Sequence, residues 1–430
     1  MLPLPGYPTS GAGLRAWGIG QGLRMHGFNV DFAIPAFSWR KDIPQQNFNF
    51  RLFRWDIDNQ EHLIREENPD AVVFCHWPAM HIRKRLDIPT IIDFHGPHIL
   101  ERAFQGVGEY GSNALEKIDA IRKADYFICA GERQKAYFLS WLLISGFDIT
   151  TDCISSVPVG LPPDLPERSP SEIEPTFVYG GVYLPWQDPR MGLTAVAEML
   201  ARHNRGVLRL FGGQHPSIPI AIPPLFQELE KKFKDHPQVR FEGFKPHDEL
   251  IDIYRSATVA IDLMAANYER ELAFTTRTVE YLWCGLPVIY NNYAELSELI
   301  REYKAGWTID PHDREGLEQI INAIITNPTM LKELGRNAQR LIRERLTWDI
   351  TTTPLAIYLK NGKKSQPLHE DLASLVARKV GKRDFWTGFR PVVWRSPKSL
   401  LARAKYHYNR GGILELLNQI KYFVRHRLPR

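Results

Sequence analysis

Short apolar runs alternate with helix-patterned segments along most of this chain, and the alternation happens twice. In the first half Asn29–Pro35, Ala71–His76, Thr90–Phe94, Tyr126–Ala130 and Ile154–Val157 read as strands, with helical segments such as Gly13–His26 and Asn113–Lys123 between them. In the second half Thr176–Gly180, Val207–Gly212, Val239–Glu242, Val259–Leu263 and Val288–Tyr290 repeat the pattern. Short strands joined by helices are the signature of parallel sheets covered on both faces, so the expected class is α/β. The stretch Leu161–Pro175, LPPDLPERSPSEIEP, is rich in proline and acids and reads as a linker between two halves. Ligands of such sheets gather at the carboxyl ends of the strands, so two facing halves put a site in the cleft between them. One point resists the pattern. The glycine loop at Ser10–Gly13 should follow a strand, yet only nine residues precede it and three are proline. Either the first strand is very short or the true start lies upstream of Met1.

Composition narrows the class. A chain of 430 residues has a length prior of two or three domains, and a hydrophobic fraction of 44% is enough for full cores. The four cysteines, Cys75, Cys129, Cys153 and Cys284, are scattered and form neither a zinc signature nor a disulfide framework. The expected setting is a reducing cytoplasm. No stretch approaches the length of a membrane-spanning helix, and the proline-rich N-terminus does not read as a signal peptide. There is no P-loop and no Ser/His/Asp order. Charge is uneven: residues 361–430 hold sixteen Lys or Arg against four Asp or Glu, so the first 360 residues are net acidic within a total of +5.

The most informative stretch is ELAFTTRTVEYLWCGLPVIYNN, Glu271 to Asn292. Thr275 and Thr276 are N-cap candidates for a short helix over Arg277–Trp283, Gly285 sits where a helix-ending glycine belongs, and Pro287 cannot continue the helix. Thr276, Arg277 and Glu280 share one face. A cation, an acid and hydroxyls beside a helix N-terminus suit a diphosphate and a ribose; a surface helix with an ion pair fits the same local pattern. Gly11-Ala-Gly13-Leu-Arg15-Ala16 matches a dinucleotide fingerprint in form, with Asp31 after the next strand. Pro5 and Pro8 oppose the strand that this motif needs. The same glycines equally suit backbone approach to a substrate phosphate or sugar, with Arg15 facing the cleft, or a tight loop without a ligand. His95, in DFHGPH, and less strongly His76, in CHWP, end strands, where a histidine suits a sugar hydroxyl or equally a loop bonded to nearby backbone. In GGVYLPWQDPR, which opens the second half, Gly181 allows close backbone approach, and Arg190 suits either a phosphate or a solvated helix start. The stretch from Phe241 to His247 is a cleft loop able to hold a base. Asp56-Ile-Asp58 is a weak candidate for a divalent metal.

Taken together, SGAGLRAWG, IIDFHGP, ADYFICAGERQKAY, SSVPVGLP, VYGGVYLPWQDPRMG, LRLFGG, VRFEGF and TTRTVEYLWCGLPVI resemble, in that order, the GT-B glycosyltransferases of the large retaining class called family 4. The resemblance covers about residues 5–358. It implies two Rossmann-like domains with parallel sheets facing across a cleft: an acceptor domain over 1–165, a nucleotide-sugar domain over 166–345, a crossover helix region over 346–362 and a basic helical tail over 363–430. It implies transfer with retention from a nucleoside-diphosphate sugar to a glycan or lipid-linked acceptor in cell-surface polysaccharide assembly, with no cofactor and no obligatory metal. By position, Glu280 matches the glutamate on the donor ribose, and Arg277 matches a basic position beside the diphosphate. Thr275 and Thr276 offer phosphate contacts. Gly11 and Gly13 match the loop near the donor phosphates, and His95 matches the histidine near the transferred sugar. Two departures stand out. The partner glutamate expected eight residues before Glu280 falls on Leu272, with Glu271 one position off. The usual Arg/Lys pair after the first strand of the second domain is absent, with Gly181 at the arginine position. A sugar-nucleotide epimerase, a non-catalytic nucleotide-binding subunit and an NAD-dependent oxidoreductase remain alternatives.

The tail interleaves Phe385, Trp386, Phe389 and Trp394 with Lys382, Arg383, Arg390 and Arg395, ahead of an apolar face at Ile413, Leu417, Ile420 and Phe423. Basic residues among aromatics suit an anionic membrane surface. The expectation is a cytoplasmic protein, peripheral at the inner face of the cell membrane. A hairpin packed on the body is the alternative, and nucleic acid is not an expected partner.

Overall fold

The computed structural model describes residues 2–3, 9–39, 49–106, 108, 110–169, 174–215, 220–327, 329–361, 364 and 366–380. The chain opens with helix α1 (Gly11–Met25), capped by the Ser10 hydroxyl, which accepts from the Gly13 N–H at 3.2 Å. Strands β1 (Phe32–Pro35) and β2 (Leu52–Trp55) form a small parallel sheet. Helix α2 (Gln60–Glu67) leads to a second parallel sheet of β3 (Val72–Cys75), β4 (Thr90–Asp93), β5 (Tyr126–Cys129) and β6 (Ile154–Ser156), in that spatial order. Helices α3 (His98–Phe104), α4 (Tyr110–Arg122) and α5 (Glu132–Ile144) lie between its strands in sequence. Among the described residues no strand precedes α1. The Asp-x-Asp of the sequence is a turn, with Asp56 Oδ1 accepting the N–H groups of Asp58 and Asn59 ahead of α2.

The second half holds six parallel strands: β7 (Thr176–Val182), β8 (Val207–Gly213), β9 (Val239–Gly243), β10 (Val259–Asp262), β11 (Val288–Asn291) and β12 (Gly306–Ile309). Their spatial order is β12-β11-β10-β7-β8-β9. The chain runs outward from β7 through β8 and β9, then returns to the other side of β7 with β10. The crevice beyond the carboxyl ends of β7 and β10 is therefore the switch point at which such sheets take their ligands. Helices α6 (Arg190–His203), α7 (Pro224–Phe233) and α12 (Arg314–Thr326) share one core with this sheet through Leu193, Phe226 and Leu317. Helices α8 (His247–Ser256), α10 (Thr276–Trp283), α11 (Glu295–Tyr303) and α13 (Met330–Arg345) share the other through Tyr254, Val279, Leu296 and Leu341. The five-residue α9 (Tyr268–Leu272) lies just ahead of α10. Strands β2 and β12 have no counterpart in the sequence reading. Both lie at a sheet edge and are half exposed, so neither produces the continuous apolar run of a central strand.

Helix α14 (Trp348–Asn361) returns to the first half. Leu355 and Ala356 pack with Ile19, Leu23, Ile91 and Ile128, and the Tyr358 ring stacks on Tyr126 at 3.9 Å. A methyl group at Gly22 would lie 2.3 Å from Thr352 Oγ1 and 2.4 Å from the Trp348 carbonyl, so the glycine lets α14 rest directly on α1. Helix α15 (Leu372–Val380) begins next to Asp371, whose carboxylate lies 3.3 Å from Arg122 Nε on α4. The aromatic and basic residues of the tail singled out in the sequence lie outside the described residues.

Two charged contacts hold this arrangement. Read from the sequence as a cleft cation and donor contact, Arg15 is instead buried at 2% exposure. Its Nε and one terminal nitrogen grip the Asp93 carboxylate at 2.7 and 2.8 Å, and the other donates to the Val157 carbonyl at 2.7 Å. All three nitrogens tie α1 to the ends of β4 and β6, and with its side chain 1% exposed Arg15 faces no cleft. The second contact crosses between the halves. Helix α5 starts at Gly131, which has no side chain to cap it, and Glu295 of α11 does so instead. The Glu132 and Arg133 N–H groups donate to its two oxygens at 2.9 and 3.0 Å. Arg133 also reaches Glu298 at 2.9 Å.

Breaking the buried pair by Arg15→Ala is expected to cost about 3 to 5 kcal/mol, because it strands the Asp93 charge. Urea unfolding followed by tryptophan fluorescence measures this, and a loss under about 1 kcal/mol would contradict the role. Glu295→Ala should cost about 1 kcal/mol, the usual value of a helix cap, and should enlarge the radius of gyration in small-angle scattering. An unchanged radius would mean that the contact does not hold the halves together.

Candidate functional site

The helix-ending signals at the end of α10 are realised in full. Gly285 has φ +68, its N–H bonds the Leu282 carbonyl, and the Leu286 N–H bonds the Tyr281 carbonyl. This paired arrangement ends the helix sharply and returns the chain into β11. The start of α10 is different. Thr275 has the extended backbone of a cap, but its Oγ1 meets the Tyr290 hydroxyl at 2.9 Å and makes no capping bond. The first turn of α10 is thus left without a side-chain cap, and its N–H groups favour an anion.

The opening turn of α1 comes to the same place. A methyl group on Gly11 would lie 3.5 Å from Thr276 Oγ1. Two helix N-termini, one from each half of the chain, therefore meet at the carboxyl edge of both sheets, and their dipoles favour negative charge between them.

Arg277 lies in the first turn of α10, with its side chain 11% exposed. Its Nε donates to Asp262 at 3.1 Å, one terminal nitrogen to the Gly180 carbonyl at 3.0 Å, and the other to Gln187 Oε1 at 3.2 Å. These anchors lie at the ends of β10 and β7, the strands flanking the switch point, and in the loop after β7. Burial works against the guanidinium charge, but the Asp262 carboxylate more than offsets it, and the pKa is raised. Gly181 makes room for this: it has φ +136, and a methyl group there would lie 2.2 Å from an Arg277 terminal nitrogen. Asp262 holds α10 a second time by accepting from the Thr278 hydroxyl. A charged residue ending the otherwise apolar strand Val259–Asp262 was the available signal for it.

Glu280 lies one turn further along α10 and lines a cavity of about 180 Å³. His247, Leu14, Trp17, Trp283 and Trp348 share its walls. Glu280 Oε1 is 2.5 Å from His247 Nε2. In the sequence His247 is legible only as the end of a loop, since nothing local links it to a helix 33 residues on.

Other candidates are placed apart. Arg190 pairs with Asp188 at 2.7 Å and with Glu228 at 3.5 Å, half exposed at the start of α6, so both its contacts are carboxylates of the second half. Glu271 is exposed on α9. The buried acid of that helix is Glu269, bonded to the buried Arg270 at 2.6 Å; burial raises its pKa against the pull of Arg270. Gly13 is buried in the first turn of α1. His95 has φ +59 and its N–H donates to Asp93 at 3.2 Å. Its ring lies 6.0 Å from that of His76, which lies 4.8 Å from that of His98. Burial, more than its positive neighbours, lowers the pKa of His76, and burial likewise lowers that of His95. Beneath them Lys117 is 1% exposed, with Nζ 4.1 Å from the centre of the Trp141 ring and 4.6 Å from that of Phe138. Among the described residues no group of three or more His, Cys, Asp or Glu is placed to hold a metal ion.

Comparison with known proteins agrees with this fold. The sequence pattern of the family described as glycosyl transferases group 1 matches residues 164–341. A D-inositol 3-phosphate glycosyltransferase of Rhodococcus jostii is 30% identical over 188 residues, 43% of this chain and 40% of that protein. The chain thus matches less than half the length of this curated relative. Among solved structures, the sucrose-phosphate synthase of Thermosynechococcus elongatus superposes with a TM-score of 0.64 at 17% identity, covering 82% of this chain and 94% of that one. Anabaena HepE, solved with UDP and glucose, gives 0.61 at 16% identity over 84% of this chain and 98% of its own. The chain has the GT-B fold, and its residues 164–341 are similar to the glycosyl transferases group 1 family.

Proposed function

We propose that this protein is a retaining glycosyltransferase that takes a hexosyl unit from a nucleoside-diphosphate sugar. The observation that carries the reading is the meeting of the α1 and α10 N-termini over Arg277, next to the cavity that Glu280 lines. In this reading the diphosphate lies at the paired helix ends, and the nucleoside enters the cavity with its ribose on Glu280. A guanidinium has five N–H groups, of which Arg277 uses three within the protein. Two remain for the leaving diphosphate, whose charge grows as the glycosidic bond breaks. Fixed donors of this kind supply charge stabilisation without a metal. Retention and metal independence are supported by the resemblance of the motifs, and a UDP-type donor by HepE, which was solved with UDP and glucose.

A glycan or lipid-linked acceptor in cell-surface polysaccharide assembly is the first reading for the other substrate. The second is an inositol phosphate, as the names of the curated relatives suggest for those proteins. A feature of the first half favours the second reading. Around the ends of β3 and β4, the ring nitrogens His76 Nδ1 and Trp77 Nε1 and the amide Asn113 Nδ2 are buried with no hydrogen-bond partner among the described residues, close to the buried Lys117. The indole and amide N–H groups are donors left without acceptors, which suits an oxygen-rich group such as a phosphate. The protein is proposed to act at the inner face of the membrane through its basic tail. Flotation with anionic vesicles, with and without residues 361–430, checks this, and equal flotation of both forms would refute it.

Turnover of UDP-glucose with inositol phosphate or lipid-linked acceptors, read as UDP release and anomeric configuration of the product by NMR, tests the whole reading. Donor turnover without acceptor would indicate an epimerase, and binding without turnover a non-catalytic subunit. Arg277→Ala should lower kcat about 100-fold, more than it raises KM. Glu280→Ala should weaken UDP binding about 10-fold by calorimetry. Unchanged activity in the first, or unchanged affinity in the second, would remove that residue from the mechanism.

A further inference from the structure

We propose that His247 is a positioning residue of the donor site, whose ring N–H bonds one oxygen of Glu280 and sets the carboxylate so that its other oxygen meets the ribose hydroxyls. The inference rests on the nucleotide-binding reading above and adds to it a residue, and a proton, on which donor affinity depends.

The two groups come from different elements and meet only in the fold. His247 is the first residue of α8, after the loop that ends β9, and Glu280 lies in the second turn of α10. Their 2.5 Å contact lies at the wall of the cavity of about 180 Å³, with side chains 19% and 9% exposed. The rest of that wall is apolar or indole: Leu14 and Trp17 of α1, Trp283 of α10 and Trp348 at the start of α14. A carboxylate in such a wall has few donors to orient it, and a hydrogen bond to a charged group there is stronger than in water. His247 supplies that donor. With Oε1 committed, Glu280 offers Oε2 in one fixed direction, the requirement for accepting from a pair of ribose hydroxyls. The contact is direct, and Glu280 alone would touch the sugar.

Charge gives the arrangement a signature. Among the described residues, the charged groups acting on the His247 ring are Glu280 from α10 and Asp248 beside it on α8. Among the described residues, the walls from α1, the Leu161–Pro162 segment and α14 bring no titrating group. Burial works against the imidazolium, but the Glu280 bond and charge outweigh it, so the pKa is raised above 6.5. The ion pair is therefore complete below the ordinary histidine value and is lost as pH rises through the raised one.

Calorimetric titration of UDP into the full chain, from about pH 6 to about pH 9, tests this. Wild-type affinity should fall about threefold on the alkaline side, where the neutral ring still donates but the charge is lost. His247→Ala should weaken UDP about 10-fold at the acidic end and show little further fall. His247→Gln, which keeps an N–H donor but does not titrate, should stay within about threefold of wild type and give a flat profile. In turnover, the alanine variant should raise KM for the sugar nucleotide while kcat holds. A His247→Ala protein that binds UDP as wild type does at every pH would overturn the proposal, as would a His247→Gln profile that keeps the wild-type slope. Should the alanine variant not fold, the wild-type and glutamine profiles decide the matter alone. Wild-type protein that takes no UDP at any pH would sink the nucleotide reading and this inference with it, whereas UDP binding indifferent to His247 sinks the inference only.

Discussion

The buried carboxylate of Asp262 holds the second half of the molecule to its purpose. It ends β10 at 1% exposure, and it grips α10 twice, through the Arg277 guanidinium and the Thr278 hydroxyl. A buried charge with no partner is costly, and a buried pair is tolerable only when its geometry is complete. Asp262 and Arg277 meet that condition together with Gly180 and Gln187. The result fixes the uncapped first turn of α10 above the switch point of the sheet, where a parallel fold takes its ligand.

The first half uses the same device for a different end. Arg15 and Asp93 also form a buried two-point pair, but there the cation lies in the core and attaches α1 to its sheet. The difference is one of exposure and position, 1% against 11% of the side chain. Arg277 stands in the first turn of its helix, among free N–H groups at the cleft. Arg15 points back into the core, and what α1 offers the cleft is its opening turn at Gly11. Closing the two halves through Glu295 and α5, and through α14 lying on α1, is what brings the two helix ends together.

Much of the architecture was legible because it rests on local periodicity. The central strands carry near-continuous apolar runs, and the helix over Thr276–Trp283 is bounded by a threonine and by a glycine with a positive φ. Edge strands β2 and β12 escaped because a half-exposed strand needs no such run. Arg15 was misplaced for a related reason. A helix period says which residues share a face, and not whether that face meets solvent or a buried aspartate 78 residues on. The role of Gly181 was legible only as an absence of side chain. Its reason is the Arg277 guanidinium that occupies the space.

By itself the sequence determined the α/β class, the two-part order of the chain and the chemistry of the Thr275–Glu280 segment, because these depend on spacing along one strand or one helix. Tertiary structure decided which charges stay available and which are spent. It paired Arg15 with Asp93, Arg277 with Asp262 and His247 with Glu280, and it set Gly11 against Thr276. Each of these contacts joins residues far apart in the chain, and a hydrogen bond is decided by distance in space, which no local pattern encodes.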